Sequence, residues 1–310
     1  MPDNSGSLLR NCNGDNVVHS QSNTAQFEGG LHTQDINSRY GLTKDKLSTF
    51  RRDSIVNLGV LFDADEVSAV VAEFSALLQS PVANVKVIGE SGSNEARSVM
   101  GWENATLRLR EFATDIRVLG PVQSVLGEDV VFHQTKYNPK AAHGKGEKWD
   151  PHRGITFWHY LDGVPDPEGM VSVFIALTDQ TKENGATYTW LGAHDMTIED
   201  LRDETDFSNR DNASNNDDTS ADLSLQIRPE KIAQYDEKYE KIDLVGPAGT
   251  VWLLDSRNLH ASQPNRSEAV RILVANVFRK VSNVPLHPRN EQALCATLDN
   301  SIVPFHRPNV

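Results

Sequence analysis

The sequence predicts a mainly β fold with flanking helices, arranged as a sandwich or a barrel. An amphipathic helical segment lies early in the chain. From about residue 130 the pattern changes to short runs rich in Val, Ile, Phe, Tyr, Thr and Trp, each bounded by Gly, Pro, Asn or Asp. Because helical and strand-like segments come in blocks and do not alternate, a parallel sheet with crossover helices is disfavoured.

The N-terminal part combines a polar segment with one clear helix. Residues 1–45 are rich in Asn, Ser, Gly and Gln, which predicts a flexible arm. The segment "FDADEVSAVVAEFSALLQS" follows, with Asp63 as its N-cap and Glu66 three residues later. Its apolar residues recur with helical spacing. They are Val67, Val70, Val71, Phe74, Leu77 and Leu78.

The rest of the chain, residues 46–310, is interpreted as one domain, because neither a repeat nor a second boundary is visible. Its five clearest strand-like runs are "VVFHQTKYN", "MVSVFIALT", "ATYTWLG", "GTVWLLD" and "VRILVANVFRKV". Between the third and fourth runs lies a polar, acidic insertion at about 196–240. Such a segment is typical of a solvated surface loop, and the alternative is a lid over a site.

Charge and cysteine usage exclude several function classes. The net charge of the 310 residues is −13, and much of this excess lies in the acidic insertion. A basic surface for a nucleic-acid polymer or an anionic membrane is therefore not expected. No apolar run reaches the ~18 residues of a membrane helix, and the N-terminus lacks a signal-peptide block. Cys12 and Cys295 offer no paired framework, so we expect a reduced, cytoplasmic protein.

Two histidines and one arginine are the first candidates for chemistry. His152 lies in "DPHRGITFW" and His260 in "LLDSRNLHAS", so a fold must bring distant strand ends together before they share a ligand. Ser262 and Arg271 follow two and eleven residues after His260. An arginine that points into a barrel requires an anion, and its planar fork suits a carboxylate.

A second polar group lies on the strand-like run "FHQTKYN". Gln134, Lys136 and Asn138 recur there with period two, which places them on one face of a strand. Polar side chains on an inward face are typical of a site.

These residues carry a family resemblance. The segments "HQTKYNPK", "WDPHRGITFWHYLDGVPDP", "VFIALTDQTKENGATYTWLGAHD" and "GTVWLLDSRNLHASQPNRSEAVRI" follow in this order, after an N-terminal helix region. Over roughly residues 45–280 the chain resembles the phytanoyl-CoA hydroxylase and ectoine hydroxylase family of Fe(II)/2-oxoglutarate oxygenases. The resemblance implies a double-stranded β-helix, a cupin-like jelly roll.

The resemblance also implies roles for the candidates. His152 and His260 would be metal ligands, and Arg271, helped by Ser262, would bind the far carboxylate of 2-oxoglutarate. Gln134, Lys136 and Asn138 match a family strand near the co-substrate.

One position departs from the family. The family motif is H-x-D, and Gly154 stands where the third ligand, a carboxylate, is expected. In one interpretation the site is inactive and the protein binds or regulates. In a second, another carboxylate, with Asp150 the nearest, takes over and the enzyme is a hydroxylase. In a third, an exogenous halide occupies the vacant position.

The third interpretation is preferred, because "HRG" is similar to the H-x-G motif of the non-haem iron halogenases. It implies an enzyme of specialised-metabolite biosynthesis that uses Fe(II), 2-oxoglutarate, O₂ and chloride (or bromide) to chlorinate an unactivated C–H bond. The glycine would leave a vacancy for the halide, whose negative charge replaces the carboxylate.

Neighbouring residues point to the substrate. Arg153 is a candidate for orienting the ligands or contacting substrate, against a surface position. Trp158 is a candidate for substrate contact, against core packing. A locally basic stretch either steers an anionic substrate or is a solvated loop on the surface. The preferred substrate is a free-standing small molecule such as a nucleotide or another phosphorylated metabolite, with a carrier-bound substrate as the alternative. This stretch consists of Lys136, Lys140, Lys145, Lys148 and Arg153.

Overall fold

Two antiparallel β-sheets with helices around them form the fold. The computed structural model describes residues 40–80, 82–83, 85–90, 95–160, 162–195, 227–287, 294–296 and 302–304. The strands are β1 (Ile55–Val60), β2 (Lys86–Gly89), β3 (Ala96–Met100), β4 (Val130–Lys140), β5 (Trp149–His152), β6 (Met170–Ala176), β7 (Thr187–Trp190), β8 (Lys241–Asp243), β9 (Thr250–Asp255), β10 (His260–Ser262), β11 (Arg271–Lys280), β12 (Leu294–Ala296) and β13 (Ile302–Pro304). The helices are α1 (Lys44–Asp53), α2 (Ala64–Gln79), α3 (Leu107–Ala113), α4 (Ile116–Leu126), α5 (Gly154–Tyr160) and α6 (Pro229–Lys238), with short 3₁₀ turns at Trp102–Asn104 and Pro167–Gly169. The predicted mainly β jelly-roll class is confirmed.

The larger sheet has the strand order β1-β9-β6-β11-β4-β12-β13, and β3 and β2 extend it from β4. Its central strands β6 and β11 are buried along almost their whole length. Strand β6 is almost continuously apolar, as expected of a strand covered on both faces, whereas β11 also contains the buried polar residues Arg271, Asn276 and Arg279. The smaller sheet has the order β5-β10-β7-β8.

Helices α2, α3 and α4 cover one face of the large sheet. The N-cap predicted for α2 is confirmed: the Asp63 carboxylate accepts a hydrogen bond from the Glu66 amide, and the Glu66 carboxylate accepts one from the Asp63 amide. On the buried side of α2, Phe74 stacks on Tyr137 of β4 with ring centroids 4.0 Å apart. Truncating a fully buried phenylalanine costs about 3–5 kcal/mol, so this contact fixes the helices on the sheet.

Alternate side chains of strand β4 point to opposite faces of the large sheet, one of which is covered by the helices. Thr135 and Tyr137 are buried, whereas the alternate residues Gln134, Lys136 and Asn138 are only partly covered. The period-two prediction for this strand is therefore confirmed. All five strand-like runs form strands, namely β4, β6, β7, β9 and β11.

Several expectations fall partly outside the described residues. The predicted arm, 1–45, is described only from residue 40, and α1 begins at Lys44. Of the insertion at 196–240, only residues 227–240 are described, and they include α6. No helix in the described part of the chain is long and apolar enough to cross a membrane. Cys295 lies buried in β12 and is disulfide-bonded, so the expectation of an unpaired cysteine is wrong at this position. That expectation rested on the spacing of the cysteines in the sequence, which does not report pairing in the fold.

Candidate active site

The two candidate histidines lie side by side because their strands pair. In the register of β5 and β10, His152 is directly opposite His260. The centroids of the two imidazole rings are 4.4 Å apart. The small sheet therefore brings together the two residues that the sequence places far apart.

Hydrogen bonds and burial keep both imidazoles in the neutral form that binds metal ions. The Nδ1 atom of His152 lies 2.7 Å from the carbonyl oxygen of Asp150, and that of His260 lies 3.2 Å from the carbonyl oxygen of Asn258. A carbonyl only accepts, so each Nδ1–H donates and each Nε2 keeps its lone pair. Burial lowers the pKa of His152 to about 4, and burial together with His152 lowers the pKa of His260 well below its usual value. The rings are thus neutral at pH 7, which suits a divalent metal.

A third protein ligand is missing from this pair. Gly154 lies in the wall of the same cavity, and the described residues contain no group of three His, Cys, Asp or Glu side chains able to hold a metal ion. The carboxylate of Asp150 instead pairs with Lys148 at 2.7 Å. Asp150 does not line the cavity, so its position does not favour it as the replacement ligand.

The two histidines line one part of the cavity, called here the His152 end, and a buried arginine lines another part, the Arg271 end. The cavity spans about 720 Å³ including its open mouth. Its polar lining includes Gln134, Lys136, Asn138, His152, Ser172, Thr187, His260, Ser262 and Arg271. Its apolar lining includes Trp149, Phe157, Trp158, Phe174, Leu273 and Val277. Both sheets contribute, so the cavity lies between them.

Arg271 forms a cationic end to the cavity. The side chain is 2 % exposed, and burial lowers its pKa to about 10. Its Nη2 donates to the Gly185 carbonyl at 2.6 Å, and its Nε has no hydrogen-bond partner in the described structure. No carboxylate of the described residues pairs with it. A buried guanidinium in this state requires an anion, which a carboxylate ligand would supply.

Lys140 holds Ser262 in position beside Arg271 through a hydrogen bond. Its Nζ donates to the Ser262 hydroxyl at 2.7 Å and to the Gln263 carbonyl at 2.6 Å. Burial, followed by the nearby charge of Arg271, lowers the pKa of Lys140 to about 6. From the sequence, Lys140 is expected only as a member of the basic stretch. Its spacing of two residues from Asn138 places it on the same face of β4. That spacing could have predicted that its side chain points toward the site.

The basic stretch is not one surface. Lys140 and Arg153 are buried, Lys145 and Lys148 are exposed, and Lys136 lines the cavity. The stretch therefore gives no continuous field to steer an anionic substrate.

Arg153 lies outside the cavity lining. Its guanidinium is fully buried, and its Nη2 donates to the Asp195 carbonyl and to the Tyr235 hydroxyl, each at 2.8 Å. It connects the start of α5 with α6. The alternative of a surface position does not hold for this residue.

Of the apolar residues that line the cavity, only Trp158 is a candidate from the sequence. It is 6 % exposed and lines the cavity. Trp149, Phe157 and Phe174 were not singled out, because an aromatic residue in a β-rich run looks the same whether it faces a cavity or a core.

Comparison with known proteins identifies the family. The family model for phytanoyl-CoA dioxygenase matches residues 50–273. The chain belongs to the phytanoyl-CoA dioxygenase family. This match covers the strands from β1 to β10, the start of β11 and every cavity-lining residue except Ala275 and Val277. The predicted resemblance to this family is therefore confirmed.

Relatives of this dioxygenase family member include an ectoine dioxygenase of Nocardia farcinica, which is 30 % identical over 79 % of this chain and 80 % of its own length. The L-proline trans-4-hydroxylase of Streptomyces griseoviridis is 28 % identical over 71 % of this chain and 80 % of its own. The crystal structure of EctD from S. alaskensis with 2-oxoglutarate and 5-hydroxyectoine superposes with a TM-score of 0.66 at 22 % identity, covering 93 % of this chain and 89 % of that one. This structure shows that the fold is shared.

Proposed function

We propose that this family member is an Fe(II)- and 2-oxoglutarate-dependent oxygenase that hydroxylates a C–H bond of a small molecule. One observation carries the proposal: two neutral imidazoles in strand register and a buried arginine, with no partner carboxylate among the described residues, face the same cavity. The curated relatives named above are a dioxygenase and a hydroxylase, which favours hydroxylation over the halogenation expected from the sequence.

Residues at one end of the cavity would bind the metal, and residues at the other end would bind the co-substrate. His152 and His260 would hold iron, which when bound supplies the activation of O₂ for C–H oxidation. Arg271 and Ser262 would hold the far carboxylate of 2-oxoglutarate, and Gln134, whose Oε1 has no partner in the described structure, faces the same space. The aromatic walls would exclude water and orient the substrate.

Halogenation is the second candidate, and Gly154 is the observation that favours it. The described residues offer no third ligand of the usual kind, and two neutral imidazoles leave the metal short of one negative charge. Chloride or bromide would restore that charge. Under this candidate, halide would be required for activity.

Anaerobic reconstitution separates the two candidates. The protein is titrated with Fe(II) and 2-oxoglutarate, with and without chloride, while the metal-to-ligand absorption band is followed. Isotope-labelled O₂ is then added with a panel that includes ectoine and L-proline, the compounds named for the relatives. Labelled oxygen in the product without halide dependence supports hydroxylation. A chlorine isotope pattern with halide-dependent turnover supports halogenation instead.

The variant His260→Ala is the control for this assay. It should remove the absorption band, because one of two protein ligands is lost. If the unaltered protein binds neither iron nor 2-oxoglutarate, both candidates are refuted and a non-catalytic role is favoured.

A further inference from the structure

The side chain of Trp158 covers the face of Gly154. Gly154 is the first residue of α5, and Trp158 follows four residues later on the same side of the helix. A Cβ atom built on Gly154 would lie 2.6 Å from Cη2 and 2.8 Å from Cζ3 of the indole. Real Cβ atoms do not approach other carbons so closely. The indole therefore stands in the direction that any side chain at position 154 must take.

In the family motif, the missing ligand is the side chain at this position. Gly154 comes two residues after His152 and lines the same cavity. We propose that Trp158 is the specificity-determining residue of the third ligand position: its indole takes the space that a carboxylate on residue 154 would need. The inference rests on the proposed function, since it assumes a metal between His152 and His260.

Packing holds the indole in place. Trp158 is 6 % exposed, and the His133 ring meets it edge to face with centroids 5.6 Å apart. The Nε2 of His133 in turn lies 3.1 Å from Oδ2 of Asp162, and both of these side chains are almost fully buried. A ring packed against such a pair cannot rotate to make room for a new side chain without disturbing its neighbours. Replacing Trp158 with a smaller residue is therefore needed to create space for a side chain at position 154.

Size complementarity has a direct consequence for the ligand. With Gly154 and Trp158 together, the position accepts at most a small exogenous ligand such as water or a halide. With a shortened residue 158, it accepts a protein carboxylate. Gly154 and Trp158 thus act as a matched pair, and changing one alone gives a different result from changing both.

The first test is a double-mutant cycle on the metal-free protein by thermal unfolding. Alanine is favoured over glycine within helices. Gly154→Ala should nevertheless lower Tm by about 5 °C in the presence of Trp158, because the added methyl overpacks against the indole. In a Trp158→Leu background the same change should leave Tm unchanged or raise it. Shifts of equal size and sign in both backgrounds would overturn the inference.

The second test measures the ligand position itself with Co(II), whose visible bands report its coordination. Gly154→Asp should bind Co(II) no more tightly than the unaltered protein. The double variant Gly154→Asp/Trp158→Ala should bind it about 10-fold more tightly and with altered bands. Gly154→Asn/Trp158→Ala is the matched control, since it has the same shape without the charge. Equal tightening by Gly154→Asp alone would contradict the role of Trp158.

The two tests separate the inference from the function on which it rests. If the unaltered protein and all variants fail to bind Co(II), the proposed metal site is refuted. The unfolding cycle still decides whether Trp158 and Gly154 are matched in size. If Co(II) binds everywhere with equal strength, the metal site stands and the inference is wrong.

Discussion

The two ends of the cavity differ in charge. At the Arg271 end, a buried cation lacks an anion: Arg271 pairs with no carboxylate of the described residues, and the neighbouring Ser262 is held by the buried Lys140. At the His152 end, two neutral imidazoles face a glycine and an indole edge. One end is charged and awaits a ligand of opposite charge. The other is neutral, and the described residues offer it no anionic ligand.

Under the proposed function, this difference separates co-substrate binding from the choice of reaction. The cationic end would bind the far carboxylate of 2-oxoglutarate. At the neutral end, Gly154 and Trp158 would decide what completes the ligand set of the metal. Three predictions test the comparison, in order of decreasing expected effect.

Arg271→Met should weaken 2-oxoglutarate binding by about 100-fold or more, because the carboxylate would lose a buried charged partner. Anaerobic titration of the Fe(II) protein with 2-oxoglutarate measures this. Arg279→Met is the matched control: Arg279 is buried on the same strand, but its Nη1 donates to the carbonyls of Lys280 and Asn283, away from the cavity. Similar losses of affinity in both variants would show that Arg271 acts through the stability of β11 alone.

Lys140→Met should flatten the pH dependence of stability in the co-substrate-free protein. The pKa of Lys140 is lowered from 10.5 to about 6 in the fold. Its contribution to stability is therefore complete above the unfolded pKa and is lost as the pH falls toward about 6. The slope from this group is at most about 1.4 kcal/mol per pH unit. Urea unfolding from pH ~6.5 to pH ~9.5 compares the two proteins, and parallel profiles would contradict a buried, largely neutral lysine.

Asp150→Asn should change Co(II) affinity by less than about 2-fold, because the carboxylate forms only a partly exposed pair with Lys148. The hydrogen bond to His152 uses the backbone carbonyl of Asp150 and is retained in this variant. A Co(II) titration of both proteins measures the effect. A loss of affinity above about 10-fold would make Asp150 the third ligand and remove the contrast between the two ends.

Local pattern was sufficient for the five clearest strands and for most of the polar lining of the cavity. The period-two spacing of Gln134, Lys136 and Asn138 predicted one face of β4, and the capping residue Asp63 predicted the start of α2. Arg153 and Lys140 show where pattern was insufficient. Both looked like members of a basic surface stretch, yet both are buried, since a cation's burial depends on partners that come from other strands and helices.

The sequence by itself determined the chemical inventory: two histidines, a serine and an arginine in family order, and a glycine in place of a carboxylate. Local patterns of this kind are legible because side-chain periodicity follows from strand and helix geometry. Only the tertiary structure decided that His152 lies opposite His260, that Lys140 supports Ser262, and that an indole covers Gly154. The first two depend on strand pairing between distant segments, and the third on how closely a buried ring packs, which spacing in a sequence does not record.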